Sequence, residues 1–557
     1  MKKRNRKLIL SIFLLALFIP LSLYAAQTDV HLTILHVNDM HGHILPSTAK
    51  NPDGKISIDT ETVGNAANLA GMIGEERAKN PEGTLLLSAG DMFQGTPVSN
   101  LFKGKPVIEF MNYLAFDAMA VGNHEFDWGL DAFNQLLTAA RFPFLSANIQ
   151  NTNDPRLHGV TPYIVIHRRN VNIAVIGLTT PDVAYLSKTG LTGNISAQNA
   201  ANMLPSIIKK ATLEGAQIII VLSHLGLEAD RDLARRVSGI HVIVGGHSHT
   251  ALMTPVMEGS TMIVQAGCYG LYLGVLELDI ERDKNPAAYR TIKGALRKVT
   301  GGPGQPYDEK AARIVNAYHD RIKDQFAEMI GETAVDLKIN DHDESNIGNL
   351  ICDMMKETTG TDMALINSRS MRTNIPQGKI TMEQVYTLLP FDNVIATMDL
   401  TGSQIMEILE HSAALPYGRL QVSGITISHD LSKPEGHRVG QVIVGGKPLV
   451  PDKTYRIVTN DFLAAGGDRF ATFREGQNIQ SGMELRDIFL AWLKKHSPVH
   501  PVIEERIIIN KRPPVTWQMP ACVENVGRPS ICPNMQARCN PSASGFVQSR
   551  FFLCAAT

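Results

Sequence analysis

Six apolar, β-rich runs lie between residues 29 and 300: VHLTILHV, TLLLSAG, DAMAVG, NIAVIGL, QIIIVLSH and HVIVGG, separated by stretches with helical spacing. Runs this continuously apolar are strands buried on both faces, which restricts the segment to an α/β domain built on a largely buried sheet. Five of them deliver polar residues at once. Asp39 and His41 follow the first, Asp91 the second, Asn123 and His124 the third; His224 ends the fifth, and His247 and His249 follow the sixth. Functional groups in α/β sheets gather outside the carboxyl ends of the strands, so these eight side chains are expected to converge.

One buried His or Asp is more often a hydrogen-bonded structural residue than a ligand. A cluster is different, because carboxylates and imidazoles are costly to gather without a cation, and a pair of divalent ions makes the same cluster favourable. A His, Asp and Asn set without thiolate suits zinc, manganese, iron or cobalt rather than calcium.

At 557 residues the chain exceeds what one hydrophobic core usually organises, and 44% apolar residues can supply two. Its 53 basic and 54 acidic residues nearly cancel. That balance leaves no footprint for a nucleic-acid polymer and favours small-molecule partners. Lys2, Lys3, Arg4, Arg6 and Lys7 precede an apolar run from Leu8 to Ala26 that ends in small residues, the pattern of a secretory signal peptide over residues 1–26. A periplasmic or extracellular location follows. The rival reading is an uncleaved anchor, since the run approaches a span of ~20 residues, but Pro20 and the Ala25-Ala26 end favour cleavage, which leaves no stable membrane span. Cleavage takes the net charge from −1 to −6.

The first domain is read as residues 27–305 and a charged amphipathic segment, 306–332, as a connecting helix. Residues 333–511 mix strands such as GQVIVGG and YRIVTND with helices such as SNIGNLICDMMKET and TGSQIMEILEHSA, which predicts a smaller α/β or α+β domain. Residues 512–557 lack periodicity and are read as an extension. It holds Cys522, Cys532, Cys539 and Cys554, expected to form disulfides in an oxidising compartment, with a metal knuckle as the alternative.

DMHGH, GDMFQG, GNHEFDWG, SHLG and GGHSH, in this order, resemble the five signature blocks of the calcineurin-like metallophosphoesterases, and more narrowly those of the 5'-nucleotidase and UDP-sugar hydrolase family. The resemblance implies a four-layer α-β-β-α sandwich joined by a helix to a smaller substrate-binding domain. It implies two divalent metal ions, zinc, manganese or cobalt, with Asp39, His41 and His249 on one, Asn123, His224 and His247 on the other, and Asp91 bridging. A carboxylate can span ions roughly 3.5–4 Å apart, which an imidazole cannot. The resemblance gives His124 a catalytic role, with Asp127 holding its ring. His36 and His43 stand outside the pattern and are read as structural or supporting.

In the second domain, LLPFDN and NDFLAAGGDRF resemble the family's substrate-binding segments, in which Phe391 and Phe462 would clamp a nucleobase. The resemblance places Asn393 at the base edge and Asp468 on the ribose hydroxyls, and matches Asn367 and Arg372 to the ends of a substrate-binding loop. That loop departs from the family: NSRSMR replaces Asn-Gly-Gly-Gly-Ile-Arg, and Asp341 stands where the family often places an arginine. A contact would be lost, Arg369 could replace it, and substrate preference would shift. The expected function is hydrolysis of nucleoside 5'-monophosphates, with UDP-sugars or other nucleotides as further substrates. The alternatives are a 2',3'-cyclic-nucleotide phosphodiesterase and a non-catalytic nucleotide- or metal-binding surface protein.

Overall fold

The computed structural model describes residues 29–45, 47–48, 62–63, 66–150, 154–183, 195–281 and 288–510. The leader, 1–26, and the extension, 512–557, with its four cysteines, lie outside the described residues.

Strands β1 (Val30–Val37), β2 (Thr84–Ser88) and β3 (Ala118–Ala120) are parallel neighbours in a seven-stranded sheet. Strands β4 (Ile218–His224) and β5 (Val242–Gly245) are parallel neighbours in a six-stranded sheet. The alternating direction of strand side chains separates the layers. Leu32, Ile34, Leu85 and Leu87 from the first sheet meet Ile220, Leu222, Val242 and Val244 from the second in one core. Leu35, Val37 and Leu86 turn the other way, against helices that include Ala66–Lys79 and Lys105–Leu114. Ile219, Val221 and Ile243 turn from the second sheet toward Ala200–Leu213 and Leu227–Arg236. The sum is a four-layer α-β-β-α sandwich. Its parallel central strands all end on one side.

The second lobe is α/β, built on a mixed five-stranded sheet that contains β6 (Met363–Asn367), β7 (Val394–Thr401) and β8 (Thr454–Asn460). Both helices expected there form. Asn346–Thr359 starts at the Ser345 cap, and Gly402–Ala414 starts at a capping box between Thr401 and Gln404. The predicted connecting helix is shorter than its amphipathic pattern. Glu309–His319 is helical, capped by Asp308, and buries Ala311, Ala312 and Val315 against the first lobe. A single turn follows at Lys323–Phe326, and Met329–Thr333 is a strand paired with Gly378–Thr381. That partner lies far along the chain, so local periodicity could not reveal it.

Candidate active site

The turns after the parallel strands are held in conformations that L-residues rarely adopt. Asp39 (φ 49°), His41 (φ 49°), Asp91 (φ 53°), His247 (φ 71°) and His249 (φ 56°) all have left-handed backbones. Such strain persists only where the surroundings impose it, and it concentrates at functional sites. Asn38 is one of the groups imposing it: its side-chain amide donates to Asp39 Oδ2 at 2.7 Å and to the Gly267 carbonyl, and its oxygen accepts from the Ala266 N–H at 2.8 Å.

Two triads result, each with two buried members and one half-buried. Asp39, His41 and His249 form one, and Asp91, His224 and His247 the other; within each, the ligand atoms lie within 4.8 Å of one another. Asp91 Oδ2 faces both, 3.0 Å from His224 Nε2 and 3.9 Å from His41 Nε2. Asn123 is buried on the turn after β3 and lines the cavity beside Asp91. The seven residues singled out as metal ligands are therefore brought together.

The hydrogen bonds test whether a cation fits. His41 and His224 each donate from Nδ1 to a carbonyl, of Gln94 at 2.8 Å and Ala89 at 2.7 Å. In the neutral ring, Nε2 is then left as an acceptor. His41 Nε2 faces His249 Nε2 at 3.2 Å, and His224 Nε2 faces the Asp91 carboxylate without a hydrogen-bond partner. Acceptors facing acceptors are what divalent ions relieve, and second-sphere carbonyls are what orient their imidazole ligands. The electrostatics agree. Burial opposes charge on His224, yet Asp91, Asp39 and Glu125 push its pKa up to about 10, so the local field favours positive charge. Burial holds His41 well below the ordinary imidazole range and brings His247 down to about 3. The residues present fit a pair of divalent ions.

His124 opens a short helical turn and its N–H donates to Asp91 Oδ1 at 2.9 Å. Its Nδ1 pairs with Asp127 Oδ2 at 2.7 Å, which leaves Nε2 for the cavity. Burial works against a charged imidazole here, but Asp127 and Asp91 outweigh it and raise the pKa. Glu125 was not singled out from the sequence. Its buried carboxylate accepts the N–H groups of Asp91 (3.0 Å), Met92 (2.9 Å) and Gly122 (2.7 Å), tying together the turns after β2 and β3. Its place inside GNHEFDWG was the signal available. His36 is buried within β1, and the half-buried His43 has its ring 4.3 Å from that of Tyr269.

The second lobe closes the other wall of a cavity of about 530 Å³, and all six residues read as substrate-binding line it: Asn367, Arg372, Phe391, Asn393, Phe462 and Asp468. Arg372 reaches the first lobe, with Nη2 3.5 Å from His41 Nε2, and its guanidinium stands 5.6 Å from the Phe391 ring. Phe391 in turn lies 5.7 Å from the His124 ring. Phe462 sits on a one-turn helix, Asp461–Ala464, capped by Asn460. Its ring occupies space that a β-carbon at Gly467 would claim, 2.5 Å away. Asp468 accepts from Asn367 Nδ2 at 2.9 Å, and Ser370 joins Asn367 to Asn460. The serines that replace family glycines are thus part of a hydrogen-bonded frame: Ser370 here, and Ser368 on Asp341 Oδ1 at 3.0 Å.

Residues 32–251 match the calcineurin-like phosphoesterase family and residues 328–475 the 5'-nucleotidase C-terminal domain. A snake venom 5'-nucleotidase from Crotalus adamanteus is 32% identical over 543 residues, covering 88% of this chain and 90% of its own. The chain belongs to the 5'-nucleotidase family. The 5'-nucleotidase of Homo sapiens is similarly related to this family member, at 31% identity over 87% of this chain and 92% of its own. Among solved structures, a 5'-nucleotidase precursor from Thermus thermophilus superposes with a TM-score of 0.79 at 35% identity, over 87% of this chain and all of the other. A family member with this first domain is a metal-dependent phosphoric ester hydrolase acting on nucleotides. No helix among the described residues of this 5'-nucleotidase family member is long and apolar enough to cross a membrane. Cys268 and Cys352 are buried free thiols.

Proposed function

We propose that the protein hydrolyses nucleoside 5'-monophosphates to nucleoside and phosphate outside the cytoplasm, with UDP-sugars and other nucleotides as further substrates. The observation that supports this best is a single cavity lined by Asp91, His124, His247 and His249 from one lobe and by Phe391, Phe462 and Asp468 from the other. Chemistry and nucleoside recognition can then act on one molecule. Export rests on the basic, then apolar, leader.

In this reading Asp39, His41 and His249 would hold one divalent ion and Asn123, His224 and His247 a second, with Asp91 shared between them, and zinc, manganese or cobalt would be the fitting metals. When bound, such a pair lowers the pKa of a water and offsets charge on the phosphoryl oxygens. The water oxygen bonds to phosphorus, the bond from phosphorus to the 5' oxygen breaks, and that oxygen takes a proton from His124 Nε2. Asp127 keeps the imidazole oriented and charged for this step. Arg372 offers a planar fork to the reacting phosphoryl group. Phe391 and Phe462 stack on the base, Asn393 binds its edge, and Asp468, steadied by Asn367, accepts from the ribose hydroxyls.

The test is phosphate release by the purified protein, metal-stripped and then resupplied with zinc, manganese or cobalt, on AMP, UDP-glucose and 2',3'-cyclic AMP. Metal-dependent AMP hydrolysis is expected. Preference for the cyclic nucleotide would favour a phosphodiesterase, and metal binding without turnover a binding protein.

A further inference from the structure

The short turn after β6, Ser368–Ser370, carries a cation to which the reaction above gives no task. Arg369 stacks its guanidinium 3.9 Å from the centre of the Tyr417 ring. Its stem packs over Gly418, where a β-carbon would lie 3.5 Å from Arg369 Cδ. Nε forms an ion pair with Asp341 Oδ2 at 3.6 Å, longer than a hydrogen bond, and the other Asp341 oxygen receives the Ser368 hydroxyl at 3.0 Å. Among the described residues no atom accepts a hydrogen bond from the terminal nitrogens of Arg369, and its side chain is 34% exposed. The group is therefore held by stacking, packing and the Asp341 ion pair, while its terminal nitrogens remain available to the cavity it lines together with Arg372, Asp468, His247 and His249.

We propose that Arg369 forms a second anion subsite, which holds the non-reacting phosphoryl group between ribose and reacting phosphorus in nucleotides that contain a pyrophosphate linkage. This rests on the nucleotidase reading, which sets the ribose at Asp468 and the reacting phosphoryl group at the paired triads. A nucleoside monophosphate has nothing between those two points. A nucleoside diphosphate has one further phosphoryl group, and the planar guanidinium matches its oxygens in a bidentate arrangement. Stacking on Tyr417 fixes the plane in advance, so less side-chain freedom is lost on binding.

The experiment compares the full chain with Arg369→Ala and Arg369→Lys. Arg369→Ala should lower kcat/KM on ADP about tenfold more than on AMP, the scale of one charge-assisted hydrogen bond. Lysine should recover only part of the difference, because it keeps the charge and loses the fork. A second reading is calorimetric titration of metal-stripped protein with AMP and with an ADP analogue bridged by a methylene group. The analogue should lose about tenfold more affinity than AMP in Arg369→Ala. Equal losses on both nucleotides would place Arg369 on the reacting phosphoryl group and overturn the proposal. Unchanged binding of both, or an equal loss with a lowered melting temperature, would make Arg369 a brace for the turn and overturn it as well. If the wild type turns over neither nucleotide, the nucleotidase reading fails, while the titration still reports on the subsite itself.

Discussion

Gly122 separates the turns after β2 and β3 by the width of one missing methyl group. A β-carbon built there would stand 2.2 Å from Asp91 Oδ1, and 2.8 Å from both Asp91 N and Glu125 Oε2. Carbon does not approach other heavy atoms much within about 3.0 Å, so Gly122→Ala requires the Asp91 carboxylate to retreat by roughly 1 Å. The backbone φ of Gly122 is not left-handed, so the effect is one of space rather than of conformation. Asp91 cannot move freely, because its Oδ1 accepts from His124 N and its Oδ2 stands 3.0 Å from His224 Nε2. A displacement of about 1 Å in a positioned group costs about 10²-fold in rate, and overpacking a buried site costs about 1–3 kcal/mol of stability. Gly74 is the control: it lies in the helix Ala66–Lys79 with nothing within 4 Å of its would-be β-carbon. Gly74→Ala should raise stability by up to about 1 kcal/mol and leave turnover alone. The assay is kcat/KM on AMP with metal content measured on the dialysed protein, alongside the guanidinium unfolding midpoint. Gly122→Ala with wild-type metal content and kcat/KM would refute the claim that Asp91 has no room to move.

His124→Ala should cut turnover by about 10²-fold or more while retaining bound metal, and unchanged kcat would remove His124 from proton transfer. Replacing Phe391 and Phe462 together by alanine should weaken AMP by about 10²-fold while sparing an artificial aryl phosphate; equal loss on the two would contradict stacking on the base. His429, 3% exposed, has no hydrogen-bond partner on either ring nitrogen, and burial with Arg419 holds its pKa at about 4, against the pull of Glu410 and Asp343. The unfolded chain therefore takes up this proton first, and stability should fall as pH drops from about 6.5 to 4, by an amount on the order of 3 kcal/mol. His429→Leu should flatten that slope in unfolding titrations at pH 7 and 4.5, and an identical slope in both proteins would clear His429 of the acid sensitivity.

What the sequence by itself determined is everything local to a strand end. Continuous apolar runs predict buried strands, and each delivers its polar residues at its own end, Asp39, Asp91 and Asn123 from one sheet and His224 and His247 from the other, whose packing on the first brings the two sets together. Tertiary structure alone decided the matters that depend on contacts distant along the chain. Met329–Thr333 is a strand because Gly378–Thr381 pairs with it, although its own sequence continues a charged, helix-like segment. Glu125 ties two turns through their N–H groups, a function visible only once those turns are neighbours. The departing NSRSMR loop was legible as a difference but not as a design. That Ser370 joins its neighbour Asn367 to Asn460, and that Arg369 is stacked on Tyr417 with its terminal nitrogens left over, follows from Asn460, 90 positions from Ser370, and Tyr417, about 50 from Arg369. Backbone hydrogen bonding and hydrophobic periodicity are properties of neighbouring residues, whereas the placement of a charge is set by whatever the fold packs against it.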